Sequence, residues 1–117
     1  MTPSFEREQR DLNPNRVEEE RHARQEVEYR LSERGITVER SDSDEEVADL
    51  LDAIERFEAA VEAKGGDLFV NRIGSSEPED PAFVPPRRGA GESAPDYRRR
   101  IEAATDAVRS RERPTDR

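Results

Sequence analysis

Residues 43–64, SDEEVADLLDAIERFEAAVEAK, decide the fold. Ser43 and Glu46 have the S-x-x-E spacing of a capping box, in which the hydroxyl and the carboxylate each satisfy a backbone N–H of the first turn. Asp44, Glu45 and Glu46 put negative charge at the positive end of the helix dipole. Val47, Leu50, Leu51, Ile54, Phe57 and Val61 then recur at helical spacing. Read as heptads, Val47, Ile54 and Val61 fall at a, Leu50 and Phe57 fall at d, and Lys64 breaks the next d. Gly65 and Gly66 end the element. The pattern predicts one acidic amphipathic helix over 43–64. In proteins most helical stability comes from packing of the amphipathic face rather than from the helix alone, so its apolar face must meet something: another helix of the chain, a second copy, or another protein. The six apolar residues are therefore the first candidates for partner contact.

Working upstream, a first helix is expected over 15–34, with Asn15 as cap and Glu18 at the third helical position. Glu20 with Arg24 and Glu26 with Arg30 are i,i+4 pairs in the favourable orientation. Its apolar stripe, Ala23, Val27 and Leu31, is thin, and Gly35 reads as its stop. Residues 1–14 read as a mobile arm. The β-prone runs Ile36-Thr37-Val38 and Leu68-Phe69-Val70 bracket the central helix and suggest a minor strand pair at 36–39 and 68–72. Two parallel strands alone would be unusual.

Working downstream, residues 74–92 contain Pro78, Pro81, Pro85, Pro86 and three glycines. They read as an extended connector rather than a packed element. Ser93 caps a third helix over 93–111, with Asp96 in the box position and Tyr97, Ile101, Ala104 and Val108 as its stripe. Pro114 prevents a longer helix. The expected organisation is an arm at 1–14, a helical hairpin-like unit at 15–73, a Pro/Gly-rich connector at 74–92, and a C-terminal helix with a basic tail at 93–117. The fold class is all-α.

The composition limits what such a chain can do. It is 117 residues long, 42% charged and 31% hydrophobic, with a formal charge of −9. Leu, Ile, Val and Phe together number 21, too few for a large core. The charge is bipolar: residues 41–67 carry a net −8 and residues 87–117 a net +3. Nineteen of the twenty basic residues are Arg. GC-rich coding or adaptation to high salt would each produce that bias. Without cysteine there are no disulfides, thiolate metal sites or thiol nucleophiles. The first fifteen residues lack the apolar core of a signal peptide, and no apolar run is long enough to span a membrane. A cytoplasmic location, or assembly into a larger particle, is the expectation.

Motifs that carry chemistry are sparse. The single histidine, His22, follows Glu19 at the Glu-x-x-His spacing of di-metal carboxylate bundles, and Glu58 and Glu62 are the carboxylates a second helix could add. With 29 acids in the chain such pairs arise easily by chance, and a solvated His on a charged helix is the plainer reading. Asp42-Ser43-Asp44-Glu45-Glu46 starts like a calcium loop, but Val47 stands where the glycine is required and Ala53 where the bidentate acid is required. Gly89-Ala90-Gly91 lacks the third glycine of a dinucleotide fingerprint, and no phosphate-loop lysine exists. No cofactor is expected, and no enzymatic activity. Arg98-Arg99-Arg100, Arg109, Arg111 and Arg113 could touch phosphates, but acids intersperse them. Finally, Phe83-Val84-Pro85-Pro86-Arg87-Arg88 reads two ways. It either lies in a partner's groove as an extended peptide, with Phe83, Arg87 and Arg88 as contacts, or folds back so that Phe83 covers the helices.

Taken together, the sequence predicts a non-enzymatic protein–protein interaction module, an adaptor or small structural subunit of a larger assembly, for example of a virion or phage. It would self-associate or bind a protein partner through the 43–64 helix. Two alternatives are a small regulatory protein, antitoxin-like or transcription-associated, that uses the Arg-rich tail, and a metal-binding helical oligomer that uses Glu19 and His22.

Overall fold

The computed structural model describes residues 14–111. Three helices form: α1, Pro14–Glu33; α2, Asp44–Ala63; and α3, Ala94–Arg109. A single 3-10 turn, Pro81–Phe83, interrupts the connector. The all-α expectation holds, with helix bounds within a residue or two of those read from sequence. Helix α1 begins at Pro14 rather than at an Asn15 cap. Residues 1–13 and 112–117, which include most of the predicted arm and Pro114, lie outside the described residues.

The capping chemistry explains where the helices begin. Ser43 accepts from the Glu46 N–H, and the Glu46 carboxylate accepts from the Ser43 N–H, a complete capping box. Ser93 accepts from the Asp96 N–H, but the Asp96 carboxylate turns to Arg99 instead of closing the box. The C-termini of α1 and α2 share one solution. Gly65 has φ +85°, its N–H donates to the Glu62 carbonyl, and the Gly66 N–H donates to that of Val61. Gly35 and Ile36 repeat this on the Ser32 and Leu31 carbonyls. Both are Schellman motifs, and buried Ile36 and Leu31 supply the apolar contact that accompanies the second.

Gly66 is needed for space as well. A Cβ there would stand 2.5 Å from Cγ1 of Val61 and 2.8 Å from Cδ2 of Phe83, both core residues. Gly66→Ala is expected to cost about 1–3 kcal/mol through forced repacking. A urea titration would show this as a lowered midpoint at unchanged slope.

Helix α2 is the centre of the molecule. Val47, Leu50, Ile54, Phe57 and Val61 are at most 1% exposed, and Leu51 is 8% exposed. They meet Tyr97, Ile101 and Val108 of α3, Leu31 of α1, Ile36 and Phe83 in one cluster. The packing of α2 on α3 is the most extensive in the molecule, with that of α1 on α2 next. The partner that the apolar face requires is therefore supplied within the chain.

The possible strand pair at 36–39 and 68–72 does not form, and no strand occurs among the described residues. The backbone polar groups find side chains instead. Arg88 donates to the Thr37 carbonyl, and the Glu39 N–H donates to Asp42. Residues 68–71 turn because the Asp67 carboxylate accepts from the Phe69 N–H and its carbonyl accepts from the Asn71 N–H.

The connector is packed rather than free. Phe83 is 3% exposed in the core, so the chain folds back over the helices. Arg111 donates to Asp80 at 2.8 Å, and Tyr97 donates its hydroxyl to the Pro86 carbonyl at 2.8 Å. Arginine forks make the remaining attachments.

Candidate functional site

The strongest of these forks is Arg88. It donates through both terminal nitrogens to the two carboxylate oxygens of Asp42, at 2.8 and 3.0 Å. Its other donors reach the Thr37 and Glu92 carbonyls. Both side chains are at least 95% buried. The Arg88 fork holds the Asp42 carboxyl below its ordinary range, against the opposing effect of burial, with the Glu39 N–H assisting. Only guanidinium offers planar bidentate geometry with donors to spare. Arg24 does similar work. It joins Glu28 to Asp44 and to the Asp42 carbonyl, tying α1 to the start of α2; the expected Glu20 partner pairs with Arg16 instead. Arg34 clasps Glu58 with two bonds, at 2.7 and 3.1 Å. The Arg excess thus has structural uses, whatever its genomic origin.

Among the described residues an apolar groove opens between the end of α1, the middle of α2, the 67–73 loop and the connector, while Val17 and Tyr29 of α1 are isolated exposed apolar side chains. Its volume is about 270 Å³. Buried Phe57 and Phe83 form its base, with Leu68, Ile73 and Pro85 beside them. Glu33, Arg72 and the Arg34–Glu58 pair supply charge at its edge. Phe69 also lines it, yet is 81% exposed. The adjoining Val70 is 38% exposed.

The loop that presents Phe69 is fixed, not loose. Asn71, 2% exposed, donates its side-chain amide to the Asp67 carbonyl and to Glu79, and accepts from the Glu79 N–H. The same Glu79 carboxylate accepts from the Asp67 N–H at 2.9 Å. A ring held outward by a satisfied hydrogen-bond network is presented at little conformational cost.

The sequence-derived candidates fall elsewhere. Val47, Leu50, Leu51, Ile54, Phe57, Val61 and Phe83 are core residues, of which Phe57 and Phe83 also reach the groove. Arg88 is committed to Asp42, and Arg87 is exposed. Glu19 and His22 lie on the solvent-exposed part of α1, and Glu58 belongs to Arg34. Among the described residues no group of three or more His, Cys, Asp or Glu is placed to hold a metal ion.

The arginines of α3, and Arg111 just beyond it, are also engaged. Arg98 approaches Asp49 and Glu102, Arg99 pairs with Asp96, Arg100 with Glu92, Arg109 with Asp106, and Arg111 with Asp80. Each would surrender a carboxylate to meet a phosphate.

Sequence reasoning missed Phe69 and Asn71 as a unit. One signal was present: three consecutive apolar residues, Leu68-Phe69-Val70, flanked by Gly-Gly-Asp and Asn-Arg. In a turn they cannot all point inward.

Comparison with protein families, with curated proteins and with solved structures finds no match. No helix among the described residues is long and apolar enough to cross a membrane.

Proposed function

We propose that the chain is a non-enzymatic protein-interaction module, an adaptor or small structural subunit, that docks through the groove beside Phe69. The observation that carries this reading is the exposure of Phe69 at the edge of an apolar groove, in a chain that is 42% charged. Aromatic anchors beside apolar hollows are the usual centres of protein interfaces. The groove accommodates a bulky side chain but falls below the roughly 300–1,000 Å³ of pockets that enclose small molecules. The deeply buried ionisable pair, Asp42 and Arg88, joins loop to connector and leaves neither group available for proton transfer.

Display of random peptides on the wild-type protein, with Phe69→Ser as the counter-selected surface, tests the reading. Enriched peptides are expected to share a bulky apolar anchor. They should lose about 2 kcal/mol or more of binding, the size of an interface hot spot, when titrated into Phe69→Ser. Failure to enrich any sequence, or binding indifferent to Phe69→Ser, would overturn it.

A further inference from the structure

We infer that the groove's occupant is a second copy of this chain: two copies pair about a two-fold axis, each inserting Phe69 into the groove of the other. This rests on the docking role of the groove proposed above and names its partner.

A two-fold interface uses the same patch twice, so the patch must complement itself. This one does so in shape. Phe69 projects from the edge of the hollow built on Phe57 and Phe83, so knob and hole share one small area. The hollow, about 270 Å³, suits one aromatic ring.

The patch also complements itself in charge. Glu33 and Arg72 both line the groove, and neither side chain makes a hydrogen bond or ion pair among the described residues, whereas Arg34, the other arginine of the groove, is held by Glu58. In the pair we infer, Glu33 of one copy would face Arg72 of the other. A partner of uniform charge would satisfy one and repel the other. A second copy satisfies both, twice. With a single aromatic anchor per protomer, the dimer is transient, near the small end of specific interfaces.

Sedimentation of the full chain from micromolar to millimolar concentration provides the test. The wild-type mass is expected to rise toward that of a dimer. Phe69→Ser, at a position 81% exposed, should keep the helical circular dichroism of the wild type yet weaken association at least tenfold. Glu33→Arg alone and Arg72→Glu alone should each weaken it, because each reversal sets like charges opposite one another at two places. The double reversal should restore it. A monomeric mass throughout would overturn the inference, as would a dimer indifferent to Phe69→Ser or a double reversal without rescue. In each case the peptide selection above still decides separately whether the groove docks another protein.

Discussion

Replacing Arg88 with Met is expected to cost about 3–5 kcal/mol, because it leaves Asp42 charged, buried and alone. The pair links residues 46 positions apart and, among the described residues, is the most buried ion pair, fastening the connector to the α1–α2 loop. A loss of that size is a large part of the roughly 5–15 kcal/mol that holds a small domain together. The double variant Asp42→Leu/Arg88→Met should recover most of it, since two apolar side chains carry no desolvation penalty. Arg88→Lys should fall between, because one ammonium cannot serve both carboxylate oxygens and two carbonyls. The same contact sets the acid limit. The Asp42 carboxyl is depressed by Arg88, so the folded state holds its proton less tightly than the unfolded chain does. Its stabilisation is therefore complete above the unfolded value of about 3.9 and is lost as pH falls through the lower folded value. Glu92 acts in the same sense. Arg100, with the Gly89 N–H, brings it from 4.5 down to about 2. Urea midpoints should thus fall progressively below pH 4.5, and fall less steeply in Asp42→Leu/Arg88→Met. At the alkaline end the sign is reversed. Burial raises the Tyr97 hydroxyl to about 12, so its contribution is lost as pH rises from 10 through that value.

Local features of the sequence announced the local features of the fold. The Ser43 box, the Ser93 cap and the glycine stops each depend on residues three to six positions apart, and each appears in the structure. The heptad-like spacing of α2 identified the inward face correctly, but spacing cannot say whose surface covers it. Tyr97, Ile101 and Val108 do so from forty to sixty residues away, and that pairing has no local signature. The arginine forks were illegible for a related reason. With 29 acids and 19 arginines in the chain, Arg88–Asp42 is one pairing among hundreds, and only the packing of the connector selects it. Whether the connector folds back is left open by the sequence, because proline and glycine mark irregular backbone equally well whether it is free or fastened. Phe83, buried between prolines, and Arg88 are what fasten it. The groove was hardest of all. It needs α1, α2, the 67–73 loop and Pro85 in one place, and its exposed ring sat in a run that β-propensity alone favours as strand.

Leu50→Asp and Ile54→Asp are each expected to abolish cooperative folding, while Phe69→Ser leaves it intact. Leu50 and Ile54 are 0% exposed within the cluster that joins all three helices. A carboxylate there must be desolvated without a partner or take up a proton, and either route adds to the lost apolar burial. Effects above about 4–5 kcal/mol arise from this kind of change, and this chain has few other core residues to absorb one. The milder Leu50→Ala should cost about 2–5 kcal/mol by leaving a cavity and should still melt cooperatively. Circular dichroism against temperature separates the cases: no transition for the two Asp variants, a lowered one for Leu50→Ala, and a near-normal one for Phe69→Ser. The comparison asks whether the chain's apolar residues divide between two tasks. If the inward face of α2 served association instead of folding, Leu50→Asp and Ile54→Asp would keep their helicity and their melting transition at low concentration. The burial of Tyr97 and Ile101 against that face leads to the opposite result. Docking then falls to Phe69, an exposed ring that the core does not use.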